Sequence, residues 1–491
     1  MTGTMHSVSR VGMSRFRLGL LLVLGVVSWP ATRGDVRMPS VFSDHMVLQA
    51  GSEVSIWGWA SPGESVSVSL RDRTSQVLAG GDGRWQVQFG PFAAGGPDVL
   101  RVQGANRVSI RDVLVGEVWL CAGQSNMAMT VGRAADADAE AAAADHPRLR
   151  VFTAGRQARR IPGTVTDVSG AWQVCAPETV RGFSATAYYF GRELQAALDT
   201  PVGLVVSAWG GTCIQSFIAP EDLAALPVGR RMQASWERKA AGHDEAAVEA
   251  AYEKRLAEWE RRKQAGTATG PWRRRPRRSP PPDRDNNAPS ACYNGMIAPL
   301  VPYGVRGFTW YQGERNANSI RDAVEYREYL PALIRSWRRV WGGDLPFYFV
   351  QLPNFAGKRA EALALNRESM LQALSVPNTG MAITIDIGES DNIHPRNKQD
   401  VGARLARLAR SRVYGEALVD SGPLYESASI DGGRVLVRFS HTGGGLASRG
   451  GPLKGFEIAG ADRVFRPAKA EIEGRRVAVT HPEVPAPVFV R

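Results

Sequence analysis

The chain has 491 residues, of which 44% are hydrophobic and 22% charged, with 52 glycines and 30 prolines. This length exceeds what one hydrophobic core usually serves, and the composition excludes a disordered chain and leans toward strands and turns rather than a helical bundle. The formal charge of +12 raises an acidic partner, but part of the excess sits in WRRRPRRSPPP at 272–282, a Pro-rich context that reads as a solvated loop. No aromatic platform or groove-reading motif accompanies it, so nucleic acid is not an expected partner.

In chain order, residues 1–34 read as a signal peptide. Arg10, Arg15 and Arg17 precede the apolar run LGLLLVLGVV, and Thr32 and Gly34 stand just before Asp35. The apolar run falls short of the roughly 20 residues that span a bilayer, so the expectation is cleavage near Gly34 and a secreted or periplasmic protein with no membrane span. Residues 35–109 carry short alternating segments such as SEVSIWGWA and WQVQF between PG, GDG and AGG turns, which predicts an N-terminal β-sandwich. Residues 110–223 and 286–415 alternate apolar strands with helix-like stretches, the two parts of one doubly wound α/β domain with a parallel sheet. Between them, 224–285 reads as an insertion, with a charged helix at 245–264 running into the Arg-Pro loop. Residues 416–491 return to period-two patterning and predict a C-terminal β region. Cys121, Cys175, Cys213 and Cys292 include no CxxC pair, so neither a disulfide scaffold nor a zinc site is indicated, and a single bridge cannot be assigned.

Four times in the α/β parts a buried run stops and polar or glycine residues follow. VLVGEVWL leads to CAGQSN, LVVSAW to GGTCIQS, VRGFTWY to QGERN, and MAITIDI to GESDNIHP. The carboxyl ends of parallel strands form the crevice where ligands bind, so these loops are expected side by side.

Each loop offers a part for acyl transfer. Ser125 follows a strand and precedes the helix-prone MTVGRAADADAEAAAA, a nucleophile's position and equally an N-cap's, and the loop lacks the second glycine of a G-x-S-x-G elbow. Of the seven histidines, only His394 follows an α/β strand, with Asp391 three residues before it. This pair suits a base and the carboxylate that orients it, although D-x-x-H also suits a capped turn before a helix. Gly210 and Gly211 can bring a backbone N–H near a substrate carbonyl, and Gln312 can add a side-chain amide, making an oxyanion hole of Ser125, Gly211 and Gln312. The glycines also suit a tight turn, and Gln312 and Glu314 suit pinning of neighbouring loops. Glu314 is assigned that supporting role with Gly210, and Asn126 and Asn316 are read as orienting loops or sugar hydroxyls.

At this point the residues resemble a known family. GQSNM, WGGT, WYQGERN and DNIHP, in this order and spacing, are similar to the sialate O-acetylesterase family of SGNH-type hydrolases, which includes bacterial enzymes acting on acetylated plant polysaccharides. VFSDHMVLQ, CYNGMIAPL and GFEIAGADRVFRPAKAEIEG extend the likeness over about 35–491. The resemblance implies Ser125 as nucleophile, His394 as base, Asp391 as its partner, no metal or other cofactor, and an acetylated carbohydrate as substrate. The chain departs from the family pattern in its early end at VFVR and in the basic, Pro-rich character of 224–285; neither touches the four loops. Two other readings are a metal-dependent hydrolase using Asp386, Glu389, Asp391 and His394, for which one histidine with scattered carboxylates is a poor zinc set, and a non-catalytic glycan-binding protein built on the β regions.

Overall fold

The computed structural model describes residue 1 and residues 35–357 and 359–491, so the predicted signal peptide lies, but for its first residue, outside the described residues. The fold is organised around one long strand, Arg107–Gly123, the central strand below. Its first residues alternate between exposed and buried, and from Val113 onward every residue is buried. The two patterns match two roles. The first half pairs antiparallel with Gly95–Gln103, in a sheet with one solvated face, and the second half lies inside a parallel sheet covered on both faces.

The N-terminal region packs that antiparallel sheet, which also holds Ser65–Leu70 and Arg73–Leu78, near a two-stranded pair, Val54–Trp59 with Arg84–Phe89. The boundary expected at 109/110 therefore falls within a continuous strand. The short strand Val47–Gln49 runs parallel to Leu114–Gly116, and one contiguous hydrophobic core joins the N-terminal sheets to the α/β part.

The parallel sheet has the strand order Thr379–Ala382, Phe347–Val350, Gly307–Tyr311, central strand, Val202–Ala208, His146–Thr153 and Trp172–Cys175, with only the last pairing antiparallel. The chain fills one side of the central strand first and then crosses to the other, which makes the central strand a topological switch point. Register sets the height of the loops that follow. Ala208 and Tyr311 both pair with Gly123, so three strands end level and three loops begin beside one another.

Helices cover both faces. Ala185–Leu198, capped by the Ser184 hydroxyl accepting from the Ala187 N–H at 3.2 Å, packs against Gln399–Arg412 so closely that a Cβ on Gly402 would lie 2.4 Å from the Tyr189 Cβ. Ile320–Trp341 packs against Ala360–Gln372. The long helix expected after Ser125 does not form. Ser125–Ala128 is a single turn, and the chain then runs through a 3-10 turn at Val131–Arg133 and the left-handed Asp136 to a short helix, Ala137–Ala142.

Within 224–285 lie two helices, Pro227–Ala241 and Glu245–Gln264, and the second buries none of its residues. Arg278 of the Arg-Pro loop folds back on it to pair with Glu245 and Glu249. The C-terminal region forms a four-stranded and a three-stranded sheet over a core of its own that includes Val437, Ile458 and Val479. All four cysteines are free and buried. Among the described residues no helix is long and apolar enough to cross a membrane.

Candidate active site

The loop that carries Ser125 is shaped by a glycine. Gly123 has φ +145, and a Cβ there would lie 2.1 Å from the Tyr311 carbonyl oxygen, so only glycine lets the two strands end this close. The next N–H, of Gln124, donates to that carbonyl at 3.0 Å. Gln124 occupies the N-cap position and Ser125 is the first helical residue, so Ser125 is not the cap that its setting also suited. Its hydroxyl is turned to His394 instead, with Oγ 2.8 Å from Nε2. With the neutral ring's proton on Nδ1, the hydroxyl donates to Nε2.

His394 arrives by a different route. The strand expected at 381–387 is shorter, Thr379–Ala382, and stands at the sheet edge, so a long loop must carry the imidazole back to the central strand. That loop is tied to itself. Asn392 Oδ1 accepts from the His394 N–H at 3.0 Å and Asn392 Nδ2 donates to the His394 carbonyl at 2.9 Å. Asn392 Nδ2 also donates to Glu389 Oε2 at 2.9 Å, and Glu389 Oε1 accepts from the Arg396 N–H at 2.6 Å.

Asp391 does not follow its expectation. Its side chain is exposed, and among the described residues it makes no hydrogen bond or ion pair with His394. The tight Glu389–Asn392 turn points it outward. The residues of the metal alternative also diverge, since Asp386 pairs with Arg404 at 2.6 Å and Glu389 is held within its loop. Among the described residues no cluster of three or more His, Cys, Asp or Glu side chains is placed to hold a metal ion.

The imidazole sits in a positive setting. Burial first, and then the charges of Lys398 and Arg133, hold His394 below the ordinary histidine range. All three causes favour the neutral ring that a general base needs.

Asn126, fully buried beside Ser125, links three loops. Its Nδ2 donates to Glu314 Oε1 and, at 3.0 Å, to the Ile393 carbonyl, while its Oδ1 accepts from Lys398 Nζ at 2.8 Å. Glu314 is tied into this arrangement. Burial raises its carboxyl above the usual range, against the opposing pull of the Asn126 bond, nearby backbone N–H groups and Lys398, and among the described residues its Oε2 has no hydrogen-bond partner.

Gln312 requires a correction. Its side chain is fully buried, and its two N–H hydrogens are shared among Gln124 Oε1 at 3.1 Å, the Thr212 carbonyl at 3.0 Å and Asn316 Oδ1 at 2.8 Å. Its Oε1 accepts from the Tyr326 hydroxyl at 3.0 Å. No hydrogen is left for an oxyanion, so Gln312 is a hub that fastens loops together. Asn316 belongs to the same hub, accepting from the Ile214 N–H at 3.1 Å and donating to Gln215 Oε1 at 3.0 Å.

Beside Ser125 stands the backbone of Gly210 and Gly211. Gly210 comes so near that a Cβ there would lie 3.3 Å from the Ser125 Cβ, and Gly211 has φ +78 with open space around it. Gln124, Ser125, Gly210, Gly211, Glu314 and His394 line a cleft of about 310 Å³ whose mouth carries Arg315, Asn318 and Arg359. Gln124, Asn392 and Lys398 were not singled out in the sequence. The one signal available was their spacing of one, two and four residues from Ser125 and His394.

Comparison with known proteins places the chain among carbohydrate esterases. A family model described as carbohydrate esterase, sialic acid-specific acetylesterase matches residues 115–242 and 264–411, passing over most of the solvated helix. The sialate O-acetylesterase of Mus musculus is 32% identical over 465 residues, covering 86% of this chain and 82% of its own. That of Homo sapiens is 29% identical over 469 residues, covering 86% and 80%. Among solved structures, a novel carbohydrate acetylesterase from Xanthomonas citri superposes with a TM-score of 0.78 at 38% identity, covering 93% of this chain and 94% of its own.

Proposed function

Since the chain belongs to the sialic acid-specific acetylesterase family of carbohydrate esterases and is a carboxylic ester hydrolase, we propose that it removes O-acetyl groups from sugars through an acetyl-Ser125 intermediate. The observation that carries this reading is the 2.8 Å contact of Ser125 Oγ with His394 Nε2, at the head of a cleft whose rim includes Gly210 and Gly211.

In the first step Ser125 Oγ attacks the acetyl carbonyl carbon while its proton passes to His394 Nε2. The carbonyl π pair moves onto oxygen, which is met by the N–H groups of Ser125 and Gly211. Collapse of the tetrahedral intermediate breaks the bond to the sugar oxygen, and that oxygen takes the proton from His394. Water then attacks the acetyl-enzyme with His394 again as base, and acetate leaves. The imidazolium formed along the way is held through its main chain by Asn392, so the pair works as a dyad in which Asp391 makes no bond.

The test is Ser125→Ala, which should abolish acetate release from a chromogenic acetyl ester while leaving the near-UV circular dichroism unchanged. Turnover retained in that variant refutes the nucleophile. The substrate is an acetylated carbohydrate, and acetate release compared across O-acetylated sialic acid, acetylated xylan and acetylated xyloglucan identifies the sugar. The first 34 residues fit a cleaved secretion signal, a reading that N-terminal sequencing of exported protein tests by a start near Asp35.

A further inference from the structure

Lys398 is the one fully buried lysine among the described residues, and the steps above leave it unused. Burying an ammonium is costly unless its protons and its charge are met. Its Nζ donates to Asn126 Oδ1 at 2.8 Å and to the Pro395 carbonyl at 2.6 Å, and lies 5.4 Å from the centre of the Tyr311 ring.

These two acceptors have a shared geometry. Asn126 follows Ser125, Pro395 follows His394, and Asn126 Nδ2 holds the Ile393 carbonyl on the other side of His394 at 3.0 Å. The peptide carbonyls flanking the base are thus both gripped by one linked pair of side chains, and that pair is anchored beside the nucleophile. Ser125 and His394 are 269 residues apart in sequence. They sit just past a strand end and on a long loop, and a bond between groups so far apart in the chain needs an outside reference.

We infer that Lys398 is a positioning residue that sets the Ser125–His394 contact, with Asn126 as its intermediary. The inference rests on the acetyl-serine reading of the site. The charged groups around the ammonium are Glu314, from the loop after Gly307–Tyr311, and Glu389, from its own loop. His394 feels the charge of Lys398 and also that of Arg133. Burial pushes Lys398 down to about 8 against the pull of the two carboxylates, and its charge in turn helps to keep His394 neutral. The residue therefore acts on the base in two ways, by geometry and by field.

Both are measured with Lys398→Met in the full chain, using 4-nitrophenyl acetate, with Ser125→Ala as the reference. Loss of the two bonds frees the loop, and a misplacement approaching 1 Å lowers kcat on the order of 10²-fold, with KM less changed because Lys398 itself does not line the cleft. The acid limb of kcat/KM moves to higher pH, since a charge that lowered the His394 pKa is gone; a purely structural role would not shift it. The double variant Lys398→Met/Asn126→Ala costs no more than the worse single one, as expected when two residues act through one chain of bonds. Should the Met variant fail to fold, Lys398→Gln keeps a donor for the Pro395 carbonyl without the charge and carries the same pH readout. Unchanged kcat and an unmoved acid limb, with Ser125→Ala inactive, overturn the inference. Turnover surviving Ser125→Ala instead removes the acetyl-serine reading, and this inference with it.

Discussion

Replacing Gln312 by leucine separates two roles that the sequence could not tell apart. An oxyanion donor, when removed, costs about 10²- to 10³-fold in kcat and leaves the fold alone. A buried hub does the reverse. The Gln312 side chain satisfies Gln124 Oε1, the Thr212 carbonyl, Asn316 Oδ1 and the Tyr326 hydroxyl, and leucine satisfies none of them. Gln124 Oε1 keeps the Arg315 N–H at 3.2 Å, Asn316 Oδ1 keeps the Ile214 N–H at 3.1 Å, and Tyr326 keeps the Gln312 carbonyl at 3.0 Å and the Trp310 indole N–H at 3.1 Å, so those three lose only part of their bonding. The Thr212 carbonyl loses a bond outright. At about 1 kcal/mol per net bond, and up to about 3 kcal/mol for an orphaned buried group, the sum is about 3–5 kcal/mol. The transition by thermal circular dichroism should fall by roughly 3–6 °C, and kcat measured well below it should fall far less than the oxyanion range. A variant with unchanged melting and kcat reduced 10²-fold or more would refute the hub and restore Gln312 to the chemistry.

The pH profile follows from the base. His394 is held below the ordinary histidine range by burial, Lys398 and Arg133 and works when neutral, so kcat/KM should stay high as pH falls past about 6.5 and drop only below that; an acid limb above this value contradicts the electrostatics. Gly211→Ala places an L side chain at φ +78 with no clash to explain a loss; the peptide should rotate to relieve strain, turning its N–H from the cleft and lowering kcat by up to about 10²-fold, whereas full activity would remove Gly211 from the oxyanion hole. Asp391→Asn should change kcat little, because the exposed carboxylate makes no bond with His394. A loss near the roughly 10⁴-fold that accompanies a neutralised triad carboxylate would show that the loop rearranges to bring Asp391 in during turnover.

What the sequence made legible was the part governed by local rules. A run of buried residues ending in glycine or polar residues is a strand end, and the switch-point rule places such ends together, so Ser125 and His394 could be paired across the chain. What escaped was set by partners far along the sequence. Gln312 looked like a free amide because nothing nearby shows that Gln124, 188 residues away, and Thr212, 100 residues away, already use its hydrogens. Asp391 and Glu389 are two acidic residues on one loop, and which of them turns inward depends on the Asn392 side chain and the Arg396 N–H, a matter of loop path rather than spacing. The helix expected after Ser125 failed for a tertiary reason too. Its first turn is consumed in placing Asn126 and Met127 in the core, both fully buried, and Met129 then leaves helical geometry at ψ 127.

The settings of Gln312, Asp391 and the Ser125 turn share a cause that bears on how the site works. Ser125 and His394 need few bonds of their own, and the polar residues between them carry the rest: Gln124, Asn126, Gln312, Asn316 and Lys398 are nearly or fully buried. A buried polar group is tolerated only when its partners are in place, so each of these side chains holds its loop to a position fixed by another loop. Strand register delivers three loops to one level, but a level start does not fix where a side chain ends. Ångström placement of Oγ against Nε2 comes from the amide network, and for that reason substitutions two or three bonds away from the acetyl carbon are expected to change turnover more than the substitution of exposed groups such as Asp391 or the Arg315 side chain at the mouth of the cleft.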